Sequence, residues 1–203
     1  MSSINSLPEY AAVFKHCPNI IRGIISLKAD GYSCRTLFKT LTASKCDCCS
    51  SFGYYLYLVS CKRVCYMCFK YGVKHFPVRG NYISKATGLR RKKLDQVPHI
   101  LGLPGRWAPA GERRVKLYDI QTALELVGKD GSQPRPEQKL TVVRQRFLAL
   151  VSAPHLDASG READWGQGCS RCDRGTCLFR KYTRDEFADH VAEMQDTVGV
   201  ERG

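Results

Sequence analysis

Eleven cysteines sit in this chain of 203 residues, and their spacing sorts them by the chemistry they could do. Six crowd between Cys46 and Cys68, three lie at Cys169, Cys172 and Cys177, and Cys17 and Cys34 stand apart in apolar, helix-like segments. The run Cys46-x2-Cys49-x15-Cys65-x2-Cys68 has the two-knuckle spacing of a four-thiolate zinc site. Two residues between thiols allow a tight turn that points both sulfurs at one ion. Two such turns complete a tetrahedron with no position left for water, so the expected metal is structural rather than catalytic. Cys48 could replace Cys46 or Cys49, and Cys61 lies four residues before Cys65, so six thiols compete for four places. The four with matched spacing are the preferred ligands. Cys17 and Cys34 read as buried, inert thiols.

Cys169-x2-Cys172 forms a further knuckle. Thr183 with Glu186 makes a capping box that predicts a helix start, and Phe187, His190, Val191 and Met194 then share one face. His190 is placed where it could supply a third ligand. The fourth is missing, because the position four residues later is Met194, a poor zinc ligand, and Cys177 or His155 would have to substitute. One zinc ion is therefore expected, and a second only if such a substitute is found. The plainer alternative is a metal-free knuckle with His190 packed against Phe187.

The elements that must position these groups are short. Apolar residues at Val13, Cys17, Ile20, Ile21, Ile24 and Leu27 recur at helical spacing, and Pro18 divides them into a helix over 9–17 and another from about Asn19. A third helix is predicted from Cys34 to Leu41. Tyr54 to Val59 suits a strand between the two knuckles, as a hairpin-like insert. Further on, a helix is expected near Ile83 to Gly88, a strand over Arg114 to Tyr118, and a helix from Ile120 to Val127 capped by Asp119 and stopped at Gly128. Residues 129–137 hold two prolines and read as a linker, followed by a helix over Gln138 to Leu150. The predicted fold is a small, zinc-stabilised α+β protein, mostly short helices with short hairpins around cysteine knuckles. It divides into a lobe over 1–128, the linker, and a C-terminal helix with a finger-like segment over 138–203.

The formal charge is +13, from 32 Lys and Arg against 19 Asp and Glu. It would favour any polyanion. Arg90, Arg91, Lys92, Lys93, Arg113 and Arg114 are the candidate nucleic-acid contacts, against the bland reading of a solvated basic surface. No Gly-rich phosphate loop, nucleophile elbow or His-Glu metal motif is present, and Asp119, Glu125 and His99 are scattered, so the sequence does not read as an enzyme. Trp107, two residues from Gly105 and Pro109, and Trp165, next to Gly166, read as packing residues. The N-terminus lacks a secretory signal and no apolar run is long enough for a membrane span, which predicts an intracellular protein of the cytoplasm or nucleus. Reducing surroundings keep thiols free for metal.

The ordered series Cys46-Asp-Cys-Cys49, Cys61-Lys-Arg-Val-Cys65-Tyr-Met-Cys68, Leu101-Gly-Leu-Pro104-Gly105, Lys116-Leu-Tyr-Asp119, Trp165-Gly166 to Cys172, and Phe187 to His190 resembles the cysteine-rich region that follows the F-box in fungal F-box proteins. The resemblance spans roughly residues 10 to 194. It implies a non-enzymatic protein-interaction module on the target side of a ubiquitin ligase adaptor, with a protein partner and no membrane. Two departures stand out. Met194 replaces the final Cys of the family's His-x3-Cys, and the F-box is reduced to little more than Leu7-Pro8-Glu9, so binding to a Skp-type adaptor is not expected.

Overall fold

The structure is a computed structural model that describes residues 8–72, 74–103, 114–128, 146–170 and 179–200. Three helices open it: α1 (Pro8–His16), α2 (Pro18–Leu27) and α3 (Cys34–Thr42). Pro18 lacks an amide hydrogen and fixes its own φ, so the apolar stretch breaks where the sequence said it would, with Pro18 in the first turn of α2. Ser33 caps α3 by accepting a hydrogen bond from the Thr36 amide at 3.1 Å.

β1 (Tyr55–Tyr57) and β2 (Lys62–Val64) form the hairpin between the knuckles, and α4 (Tyr66–Tyr71) follows. The hairpin is completed from far along the chain. After a 3₁₀ turn at Arg146–Ala149, β6 (Leu150–Ser152) pairs antiparallel with β1, giving the order β2-β1-β6. Between these lies a second sheet of β3 (Pro77–Arg79), β4 (His99–Leu101) and β5 (Lys116–Asp119), ordered β3-β5-β4. α5 (Gly80–Thr87) and α6 (Ile120–Glu125) belong to this unit, as does a 3₁₀ turn at Arg91–Gln96. β7 (His155–Leu156) and β8 (Ala163–Asp164) make a two-residue ladder, and α7 (Arg184–Val200) ends the described chain. The predicted α+β character is observed as short helices with small antiparallel sheets.

Two hydrophobic cores result. The first gathers Val13, Ile20, Leu41, Leu56, Val64 and Phe69 with Cys46, Cys61 and Cys65, and it also takes in Ala149, Ala153 and Leu156. The second is built from Phe76, Val78, Ile83, Leu94, Tyr118 and Leu124. The predicted linker 129–137 lies outside the described residues, but the chain on its two sides meets in the first core. Among the described residues beyond the linker, Ala149, Ala153 and Leu156 pack in that core. The helix predicted over Gln138 to Leu150 falls outside the described residues up to 145, and its end is the 3₁₀ turn leading into β6. Tertiary pairing with β1 overrides the local helical pattern there.

No helix among the described residues is long and apolar enough to cross a membrane.

Candidate metal centre

The first knuckle is closed by its own backbone. The Cys46 amide donates to Ser51 O at 2.9 Å and the Gly53 amide to Ser44 O at 2.9 Å, so residues 46–51 fold back as a tight loop. A side chain at Gly53 would meet Cys46 and Arg63 backbone and Cβ atoms at 3.0 to 3.1 Å, and glycine lets β2 approach the knuckle. The second knuckle is a helix start. Cys65 is the N-cap of α4, and its sulfur accepts from the Cys68 amide at 3.4 Å. The Gly72 amide donates to Cys68 O at 2.8 Å, closing that turn, with no room for a β-carbon against the same carbonyl.

These two turns bring the sulfurs of Cys46, Cys49, Cys65 and Cys68 within 4.8 Å of one another. The Cys49 and Cys65 sulfurs are 3.8 Å apart. A tetrahedron with metal–sulfur bonds of about 2.3 Å has edges of roughly 3.8 Å, so the spacing fits a thiophilic ion such as zinc. Cys46 and Cys65 are buried, while Cys49 and Cys68 are half-buried.

Electrostatics point the same way. Amides of Cys48 and Cys65 donate to the Cys46 sulfur at 3.5 and 3.3 Å. Hydrogen bonding from Cys48 and Cys65 draws the Cys46 thiol well below its ordinary value. Cys65 is raised through its bond to Cys46, and Cys68 is pushed up to about 12, first by burial. Four thiols this close cannot all ionise unless a cation compensates them, which is what a divalent ion supplies.

The competing thiols are disposed of by geometry. Cys61 lies in the β1–β2 turn with φ 53, buried, its carbonyl held by Thr40 Oγ1 at 3.1 Å. Burial pushes its thiol up to about 11. Cys48 is exposed and hydrogen-bonds Cys46 from outside the four-sulfur set, forming with Asp47 and His75 a second group of potential donor atoms within 4.8 Å. In that group Asp47 already pairs with Lys74 at 2.7 Å, His75 at 2.9 Å and Lys62 at 3.6 Å. Its charge is met by two ammonium groups, and the set serves as a knot tying residues 74–75 to the first knuckle. Cys17 is fully buried, its thiol pushed up to about 12 by burial, whereas Cys34 is only half-buried.

Only part of the second predicted site falls among the described residues. Cys172 and Cys177 lie outside them. Cys169 is half-buried, and the potential donor groups found include none of Cys169, His155 and His190. His155 Nε2 instead bonds the Thr42 carbonyl at 3.1 Å. His190 stacks on Tyr182 with centroids 4.4 Å apart. The capping box is present as read: the Glu186 amide donates to Thr183 Oγ1 at 3.3 Å, and Thr183 N donates to Glu186 at 3.0 Å.

The basic candidates separate. Arg90, Lys92 and Lys93 are exposed around the 3₁₀ turn that Arg91 opens, and Arg113 lies outside the described residues. Arg114 is committed to structure, donating to Leu101 O at 2.9 Å, to Gly102 O and to Ser26 O.

One residue that supports the centre carried no mark in the sequence. Arg63, in β2, is 2 % exposed. Its guanidinium donates to Gly53 O at 2.7 Å, Pro154 O at 2.9 Å, Ala153 O at 3.2 Å and Leu41 O at 3.4 Å. It thereby ties the first knuckle to α3 and to the chain after β6. Burial lowers its pKa to about 10. An arginine between two knuckle cysteines reads as surface, because guanidinium groups are rarely buried without a carboxylate.

Comparison of the whole chain with protein-family models, with curated protein sequences and with solved structures finds no match.

Proposed function

We propose that this chain is a zinc-stabilised, non-enzymatic protein-interaction module, akin to the target-side region of fungal F-box proteins. The observation that carries the reading is the closed set of four sulfurs, drawn from two separated turns and set into the first core. Four protein ligands leave a zinc ion no open position for water or substrate, so its work is to hold the scaffold. When bound, the ion would compensate the thiolates and cross-link the 46–51 loop to the start of α4. Cys46, Cys49, Cys65 and Cys68 hold it. The amides of Cys48, Cys65 and Cys68 aim at thiolate sulfur and orient the ligands.

A scaffold of short elements fixed in this way presents surface rather than a reaction centre. The F-box kinship rests on the motif series, and it assigns the occupant of that surface as a protein. Elemental analysis of the purified chain is expected to give at least one zinc, lost in Cys49→Ser/Cys68→Ser. Affinity purification should recover a reproducible protein partner that is released by a strong chelator, without a stoichiometric Skp-type adaptor. A metal-free chain that stays folded under chelation overturns the reading.

A further inference from the structure

We infer that a strip of aromatic rings and cations running past the metal centre binds single-stranded nucleic acid. This function goes beyond the protein-interaction reading and does not depend on it. Four large aromatic side chains are exposed among the described residues, Phe14, Tyr71, Trp165 and Phe179; Tyr71 and Phe179 belong to this strip, and Trp165 is tied to it through its backbone carbonyl. Tyr71 is 61 % exposed, Trp165 43 % and Phe179 40 %. The ammonium of Lys70 lies 4.9 Å from the Tyr71 ring centre, 5.4 Å from Tyr66 and 5.7 Å from Phe179. Tyr66 and Phe179 stack with centroids 4.5 Å apart. Next along the chain, Arg180 lies 5.0 Å over Tyr182, and Lys181 bonds the Trp165 carbonyl at 3.2 Å.

Beside Phe179, Arg180 and Lys181 opens a cavity of about 200 Å³, walled also by Met67, floored by metal-site thiols and free of acidic residues, whereas the adjoining cavity that shares Arg180 and Lys181 carries Glu186, Asp189 and Glu193. Single-stranded nucleic acid asks for this combination. Its bases offer ring faces for stacking on tyrosine, phenylalanine and tryptophan, and its phosphates seek lysine and arginine. In a duplex those faces are hidden, so the strip prefers single strands. A plainer role for the cations is to offset the net charge of about −2 on a four-thiolate zinc centre. That role needs two cations and leaves the exposed rings of Tyr71 and Trp165 without a part.

The test uses the full zinc-loaded chain and fluorescence anisotropy with a labelled 12-nucleotide single strand, in RNA and DNA forms, and with the matching duplex. Three phosphate contacts predict that single-strand affinity falls about 20-fold between about 50 and 200 mM salt. Tyr71→Ala and Phe179→Ala should each weaken binding by about tenfold without changing that salt dependence. Lys70→Ala/Arg180→Ala/Lys181→Ala should flatten the salt dependence. Zinc content and melting temperature confirm that each variant is folded. The inference is overturned if no single strand binds at about 50 mM salt, or if the duplex binds equally well. It is also overturned if both ring variants bind like the parent while poly-glutamate competes fully, which makes the strip an acidic-protein surface instead.

Discussion

The two hydrophobic cores of this chain are built from elements of similar length but close by different means. Around Leu56 and Val64, strands of three residues pack against helices of nine and ten, and the core includes Cys46, Cys61, Cys65 and the guanidinium of Arg63. Around Val78 and Ile83, strands β3 and β5 of three and four residues pack with α5 and α6 through aliphatic and aromatic side chains, with no cysteine among them, while Ile100 of β4 and Leu117 of β5 turn into the first core. The first core receives chain from three distant stretches, and it gains a cross-link of sulfurs and a hub of carbonyl hydrogen bonds. The second comes almost entirely from residues 76–127 and needs neither. Sequence separation, more than apolar content, marks where this protein places polar and metal-binding groups. Closing long loops costs conformational entropy that short strands alone do not offset.

The comparison can be broken most forcefully by removing the metal. Cys65→Ala, or a strong chelator, should abolish the first core, because structural zinc contributes roughly 10 kcal/mol in small sites. Hydrogen exchange is the measurement: amides of Leu56 and Val64 should lose protection while those of Val78 and Ile83 keep part of theirs. Loss of both sets together would make the cores one cooperative unit and end the distinction.

Arg63→Met probes the carbonyl hub with zinc present. Four acceptors lose a charged donor inside the core, and denaturant unfolding should show a destabilisation of about 4 kcal/mol. A change below about 1 kcal/mol would mean that the hub is replaceable by packing. Ile83→Ala in the second core should cost about 3 kcal/mol through lost burial and a residual cavity. Here the sharpening test is metal dependence: the same destabilisation is expected at limiting and at saturating zinc.

The smallest effect belongs to the capping box of α7, which meets the edge of the first knuckle through Lys45. Thr183→Ala should cost about 1 kcal/mol. Burial alone would raise the Glu186 carboxyl, but the hydrogen bond from Lys45 and the Thr183 amide outweigh it and hold the group below its ordinary 4.5. A lowered folded-state value means the contribution of Glu186 is complete above pH 4.5 and is lost as pH falls through the folded value. Melting of α7 followed against pH should show that loss, and Glu186→Gln should remove it.

What the sequence determined by itself is local. Two residues between thiols make a knuckle, Pro18 splits a helix, Asp119 caps α6 through the Thr122 amide at 2.9 Å, and Thr183 with Glu186 starts α7. Each depends on atoms within a turn or two, so residue type and spacing suffice. The tertiary structure decided the rest. Cys61, four residues from Cys65, is carried out of the cluster by the hairpin turn, and Cys48, bonded to Cys46, falls in a second donor group with Asp47 and His75. Arg63 is buried because carbonyls from three segments converge on it, and β6 joins β1 across nearly a hundred residues. The ring strip exists because Phe179 is folded onto Tyr66. Strand partners and chain crossings are set by the summed free energy of closing a core, and no periodicity within one segment encodes which distant segment will complete it.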